Sequence, residues 1–360
     1  MEKQWCLDEK ALRHFRDFVE VISPSMEEVP MADYLRSQWN ALGVKLHTDV
    51  MGNVYGSIGE GHPLNIGIIS HMDTVAVQVT KILPNGMLQL RHIGLRPHTL
   101  LGQPMKVLTS KGVIDGVIGF DPTSQYGQPK GLIDEDLWMD IGATDYKDAS
   151  SKIKVGDLAV FAPRLVPMSD VILSGTAIDD RIGLFVMNEC LKWFSAHQIP
   201  ANLKFIGSAQ EEVGLRGSAI LASNTHFDAC IIVDVDYATD TPTPHENQMG
   251  ALFLGKGVGM HIKSDVNPVL RRIAVEVAEA NQIPYQLSLG RFIYGGTDST
   301  ALQIQKQGVA TLNLNIPCRY MHSPIEMCHK DDVESCTRLL IALIEELSRR
   351  GKNSFIPGID

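Results

Sequence analysis

The sequence predicts an α/β fold, a mostly parallel central sheet flanked by helices, with a second, β-rich domain inserted into it. Three observations carry this. Short apolar runs such as Leu64–Ser70, Leu203–Ala209 and Ala229–Val233 alternate with stretches of helical period, the pattern of strands buried on both faces. Between Val75 and Pro163 that texture gives way to β-like runs broken by Pro, Gly and Asn, with no long helix. At 360 residues the chain is too long for one ordinary core. The expected division is therefore 1–74 and 165–360 for the α/β part, with 75–164 as the insertion.

Leu7–Ile22 and Glu28–Leu42 have the apolar spacing of helices, the second stopped by Gly43. Gly43–Leu46, Asn53–Ile58 and Leu64–Ser70 read as strands. Inside the insertion Pro84-Asn85-Gly86 signals a turn, and Gly127–Asp134 reads as an exposed loop. Beyond it, Asp180–Ala196 is a long amphipathic helix, Leu203–Ala209 a strand, Leu215–Ala222 a short helix and Ala229–Val233 a strand ending at Asp234. Asn267–Asn281 is a helix and Tyr285–Leu289 a strand. A helix over Thr297–Gln305 takes Thr297 as its N-cap, Val309–Asn315 is a strand, and Asp331–Arg350 closes the chain as a helix.

Forty-four per cent hydrophobic and 21% charged residues exclude a largely disordered chain. A formal charge of −10 argues against a general nucleic-acid binder, which needs a basic face. The first fifteen residues carry charges throughout and lack the apolar core of a signal peptide. No apolar stretch is long enough for a membrane span, so no membrane partner is expected. The six cysteines form no C-x-x-C pair; free thiols in a reducing cytoplasm are the simplest reading, and a cysteine-based zinc site is not expected.

Five metal-compatible residues follow one another as His71, Asp179, Glu212, Asp234 and His322, at least three of them where an apolar strand ends. Two imidazoles and three carboxylates can hold a pair of divalent cations, which together turn water into a nucleophile near neutral pH. Asp73, two residues from His71, can hold its tautomer. Glu211 and Glu212 are adjacent, so their side chains diverge: one can bind metal while the other faces the attacking water. Taken singly, each has an ordinary explanation. Asp179 and Asp180 can cap a helix, the glutamates can be a solvated loop pair, and His322 can be a surface residue. Gly295-Gly296-Thr297-Asp298 can bind an anion through its N–H groups or simply start a helix. Gly255-Lys256-Gly257-Val258-Gly259 lacks the spacing and the Ser/Thr of a phosphate loop and is set aside.

Six motifs tie these residues together: SHMDTV at 70–75, AIDDRIG at 177–183, SAQEEVGLRGS at 208–218, VDVDYATDTP at 233–242, GGTDST at 295–300 and RYMHSPIE at 319–326. In kind and order they resemble the M42 family of dinuclear metallo-aminopeptidases, the tetrahedral and glutamyl aminopeptidases among them, over nearly the whole chain. The resemblance implies a zinc-exopeptidase-like sheet and a small β-barrel-like insertion serving oligomerisation. It implies two divalent ions per subunit, zinc or cobalt, with Asp179 bridging, His71 and Asp234 on one ion, and Glu212 and His322 on the other. Glu211 would be the general acid/base and Asp73 the residue that orients His71. Asp180 stays outside the ligand set, and Gly296 and Thr297 lie near the substrate. The implied reaction is hydrolysis of the N-terminal peptide bond of oligopeptides with a free amino end, by a cytoplasmic homo-oligomer between a dimer and a dodecamer. Deacylation of N-acyl amino acids, or an idle metal-binding scaffold, are the alternatives. One departure stands out: Thr74-Val75-Ala76 follows His-Met-Asp where the family commonly has Glu-Ile-Gly.

Overall fold

A computed structural model describes residues 5–121, 136–242, 246–305 and 308–358. The loop expected at Gly127–Asp134 lies outside the described residues. Helices α1 (Glu9–Glu20) and α2 (Val29–Asn40) lead into β1 (Lys45–Thr48), β2 (Val54–Ile58) and β3 (Asn65–His71). There follow β4 (Ala76–Ile82), β5 (Leu88–Ile93), α3 (Pro97–Leu100), β6 (Pro104–Thr109), β7 (Gly112–Phe120), β8 (Leu137–Asp140), α4 (Tyr146–Lys152) and β9 (Leu158–Phe161). The chain returns through β10 (Leu165–Pro167), β11 (Ile172–Gly175), α5 (Ile178–Ala196), β12 (Asn202–Ser208), α6 (Arg216–Asn224) and β13 (Ala229–Tyr237). It ends with α7 (Glu246–Met249), β14 (Val258–His261), α8 (Pro268–Ala280), β15 (Tyr285–Ser288), α9 (Ser299–Gln303), β16 (Ala310–Cys318), β17 (Glu326–His329) and α10 (Lys330–Arg350).

Eight strands form one sheet in the order β1-β2-β12-β3-β13-β16-β14-β15. Its four central strands, β12, β3, β13 and β16, are parallel. Both margins depart from that: β2 runs antiparallel to β12, and β14 antiparallel to β16. The apolar runs behave as fully buried strands must, with neighbouring residues facing opposite layers. Ile66, Ile68, Ile231 and Val233 face the larger core beneath α1, α2, α5, α8 and α10, whereas Ile69, Cys230 and Ile232 face the smaller one with Leu221 of α6 and Leu302 of α9. Helix caps follow the sequence: Asp8 accepts the Ala11 N–H at 2.8 Å, and Asn267 those of Val269 and Leu270 at 2.9 Å.

The insertion is a closed barrel of six strands, β4-β5-β8-β7-β6-β9, with its own core around Val77, Leu88, Val107 and Met139. A small three-stranded sheet, β10-β11-β17, lies outside the main one.

Several expectations need correction. The strand expected at Gly43–Leu46 starts later, because Gly43 at φ +68° belongs to a turn off α2. Asp234 does not end its strand: β13 runs on to Tyr237. The pairing of β13 with β3 stops at Ile232, two residues short of Asp234, and the same register brings Asp234 level with His71, the last residue of β3. Thr297 is not a helix cap. Helix α9 begins at Ser299 with Asp298 in the cap position and no side-chain cap bond. The glycine-flanked segment before β14 wraps an internal anion, since Gly255 and Gly257 each donate an N–H at 2.7 Å to the carboxylate of Asp332 in α10.

Candidate metal centre

The central strands carry their polar residues to one end of the sheet. His71 is the last residue of β3, and Glu211 and Glu212 follow β12. Asp234 projects from β13, and Asp179 enters from the start of α5, where the Asp179–Asp180 peptide bond is cis. His322 arrives from the turn after β16 with φ +59°.

Asp179 sits in the middle. One of its oxygens lies 3.0 Å from His71 Nε2 and the other 3.2 Å from His322 Nε2. Each imidazole has a second carboxylate: Asp234 lies 3.9 Å from His71 Nε2, and Glu212 3.3 Å from His322 Nε2. All five metal-compatible residues thus converge on one point.

Both imidazoles are held through their other nitrogen. His71 Nδ1–H donates to the main-chain oxygen of Asp73 at 2.9 Å, with the Asp73 carboxylate at 3.5 Å. That carboxylate is fixed by the N–H groups of Glu211 and Glu212 at 3.0 and 3.2 Å and by Ser25 Oγ at 2.7 Å. His322 Nδ1–H donates to the carbonyl of Gly94, in the barrel, at 2.9 Å. Either way Nε2 is turned toward the carboxylates, as a ligand nitrogen must be.

Sequence reading passed over several contributors. Glu326 accepts the main-chain N–H of Asp179 at 3.1 Å and that of His322 at 2.8 Å, so one carboxylate fixes the backbone on both sides of the centre. Its only sequence signal is an acid four residues after the histidine. Asp298 accepts from Ser208 Oγ at 2.6 Å beneath the strand that leads to the glutamates. Gly94, at φ +71°, leaves no room for a side chain, since a Cβ there would meet Val75 Cγ1 at 2.5 Å. Asp180 is engaged elsewhere: Ser70 Oγ and the Gly183 N–H, at 3.0 Å, take its two oxygens.

Electrostatics follow from crowding carboxylates in a buried place. Burial pushes Asp234 up to about 7, against the pull of His71. It also pushes the Glu211 carboxyl well above its usual range, with His71 opposing and Asp234 and Glu212 adding to the push. Burial works against the charge of His71 as well, but its bonds to Asp179 and Asp73 outweigh it and hold the imidazole pKa well above normal. For Asp179 the balance reverses: burial is overcome by His322 and His71, and the carboxyl is depressed.

The residues fit a divalent cation. Ligand atoms of His71, Asp179 and Glu212 lie within 4.8 Å of one another, as do those of His71, Asp180 and Asp234. Glu212 Oε1 is buried without a hydrogen-bond partner, an orphan that a cation would satisfy. The centre opens into a cavity of about 670 Å³. Gly296 and Thr297 line it, and Thr297 is buried.

A profile of M42 glutamyl aminopeptidases matches residues 52–339. The chain belongs to that family. As an M42 aminopeptidase it is a hydrolase, an exopeptidase that works from the amino end of peptides. A lysyl aminopeptidase of Pyrococcus furiosus is 34% identical over 305 residues, covering 83% of this chain and 86% of that protein. The structure superposes on an aminopeptidase of the archaeon Desulfurococcus kamchatkensis with a TM-score of 0.89 at 29% identity, covering 97% of this chain and 98% of the other. A TET1 peptidase of Pyrococcus horikoshii, described as assembling into a tetrahedron or a large octahedral shell, gives 0.84 at 28% identity, over 92% of this chain and 98% of that one.

Proposed function

We propose that this M42 aminopeptidase works with two divalent cations, zinc or cobalt, and releases the first residue of oligopeptides whose amino end is free. The observation that carries the reading is the sharing of Asp179. Its two oxygens face two different histidines, and each histidine is partnered by a different second carboxylate. That divides the five residues into one bridge, Asp179, and two pairs: His71 with Asp234, and Glu212 with His322. Mixed imidazole and carboxylate donors suit zinc or cobalt.

The cations, when bound, supply Lewis acidity and make water acidic enough to attack a peptide carbonyl. The chain's own residues do the rest. Glu211 faces the same cavity and carries no metal in this scheme. Burial raises its carboxyl, nearby cations oppose that push, and the balance suits a group that takes a proton from water and returns it to the leaving amine. Asp73 positions both sides at once, since it holds His71 Nδ1–H and, through its carboxylate, the backbone of Glu211 and Glu212. Gly296 and Thr297 border the space for the substrate.

We assign 1–74 and 165–360 to the catalytic part and 75–164, the barrel, to self-association. Val113 and Val117 on β7, with Tyr146 and Val155, leave half or more of their surface exposed on the barrel, which favours a homo-oligomer. All six cysteines are free, which supports a cytoplasmic setting. Among the described residues no helix is long and apolar enough to cross a membrane.

The test is Glu211→Gln. It should lose peptide hydrolysis by about a hundredfold or more while binding metal as the parent does, by elemental analysis. His71→Ala and His322→Ala should each lower bound metal. A Glu211→Gln variant as active as the parent would remove the mechanism. Cleavage of N-acyl amino acids, but not of dipeptides with free amines, would select deacylation.

A further inference from the structure

The loop that carries Glu211 and Glu212 is pinned at its base by a side chain from another strand. It leaves β12 after Ser208 and runs into α6 at Arg216, and its backbone closes on itself in nested contacts. The Gly217 N–H donates to the Ala209 carbonyl at 2.9 Å, that of Arg216 to Gln210 at 3.2 Å, and that of Leu215 to Glu211 at 3.0 Å. Asn53 joins the outermost of these. The register that pairs Val54 of β2 with Gly207 of β12 brings it to the end of β12. Its Oδ1 accepts the Ala209 N–H at 2.8 Å, and its Nδ2 donates to the Gly217 carbonyl at 3.1 Å. One amide thus grips both ends of the loop.

Asn53 is completely buried, and only one orientation of its amide satisfies its neighbours. Nδ2 gives its second N–H to Asp49 Oδ2 at 2.7 Å, and the other oxygen of Asp49 accepts the main-chain N–H of Asn53 at 3.1 Å. A flipped amide would set Nδ2 against the Ala209 N–H and Oδ1 against a carboxylate and a carbonyl. Gly217 makes room for this grip, since a Cβ there would strike Asn53 Oδ1 and the Ala209 backbone. The tip of the loop is held separately. Glu28 accepts the Gln210 N–H at 3.2 Å, and Asp73 those of Glu211 and Glu212.

We propose that Asn53 is a positioning residue for the reaction: by closing the base of the loop it sets where the Glu211 carboxylate stands. The proposal rests on Glu211 acting as the general acid/base, as above. Ala209 lies two residues before Glu211, and Gln210 between them is held at φ +57°, so a shift at the base passes directly to the carboxylate. Proton transfer needs hydrogen-bond reach, and a displacement of about 1 Å costs up to about a hundredfold in rate. Asn53 does not line the cavity, so its loss falls on turnover and not on substrate binding.

Asn53→Asp keeps the shape and the acceptor for Ala209 but removes both N–H donors; Asn53→Ala removes the whole grip. On the best-cleaved of a panel of aminoacyl p-nitroanilides, at saturating zinc, each should lower kcat by about tenfold or more and leave KM within about twofold. In the Glu211→Gln background the same substitutions should lower kcat little further, because both act through one group. Hydrogen exchange on the ion-free protein reads the loop itself: amides of 209–217 should exchange faster in Asn53→Asp, those of α5 and α10 as in the parent. Thermal melts check folding, and Asn53→Asp carries the test if the alanine variant does not fold. A folded Asn53→Asp with parental kcat, or with parental exchange over 209–217, would overturn the proposal. So would a kcat loss that multiplies in full with that of Glu211→Gln. Parental activity in Glu211→Gln alone would instead remove the acid/base reading, and this proposal with it.

Discussion

At the scale of single residues, Glu326 shows how the centre is held by a residue outside the five proposed ligands. Among the described residues its carboxylate accepts hydrogen bonds only from main-chain N–H groups, those of Asp179 and His322. Glu326→Ala leaves both donors without an acceptor, at a cost of about 1–3 kcal/mol each where they are buried. The variant should unfold at lower urea and retain less metal after dialysis; wild-type metal content and stability together would show that the clamp is dispensable. The five residues proposed as ligands were legible because histidines and acids beside apolar strands, recurring in one order inside recognisable motifs, are conspicuous. Glu326 and Gly94 were not, because they act through main-chain groups 147 and 228 residues distant, and no local pattern announces that.

Among elements, the turn before β14 and the first turn of α10 make one unit. The N–H groups of Gly255 and Gly257 were set aside as a phosphate site for want of the right spacing, yet they do bind an anion, the carboxylate of Asp332. Asp332→Ala removes two acceptors at once and should destabilise the protein by about 2 kcal/mol or more. Asp332→Asn, which keeps one acceptor oxygen, should cost less. Urea denaturation of the two variants checks the ranking, and equal losses would contradict it. The same contrast explains what was readable. Long periodic elements such as α5, α8 and α10 fell within a few residues of their expected bounds. Strands β10, β11, β14 and β17 were missed because four-residue or shorter strands depend on partners, not on local period.

For the whole molecule, the consequence of crowding acids and imidazoles at one end of a sheet is a dependence on cations and pH. Burial raises Asp234 to about 7, and its hydrogen bonds raise His71, so the ion-free folded state binds more protons than the unfolded chain does. Stability from these groups is therefore present at acid pH and lost as pH climbs through the carboxylate's folded value. A divalent cation replaces the protons, so its stabilising effect grows in the same direction. The rise in Tm on replacing EDTA with zinc should be larger at about pH 7.5 than at about pH 5.5. Thermal melts in the two buffers decide it, and a gain that is flat or shrinks with pH would contradict the assignment.

The contact from Gly94 to His322 crosses from the barrel to the α/β part of the chain. A shift of that loop by little more than the length of a hydrogen bond releases Nδ1 and, with it, the choice of tautomer. The nitrogen offered to a cation is thus set partly by a segment whose own seat is the barrel. In the proposed two-cation scheme, barrel contacts and cation affinity are thermodynamically linked quantities, and such linkage is reciprocal: a change that steadies the Gly94 contact favours cation binding, and cation binding favours that contact by the same free energy.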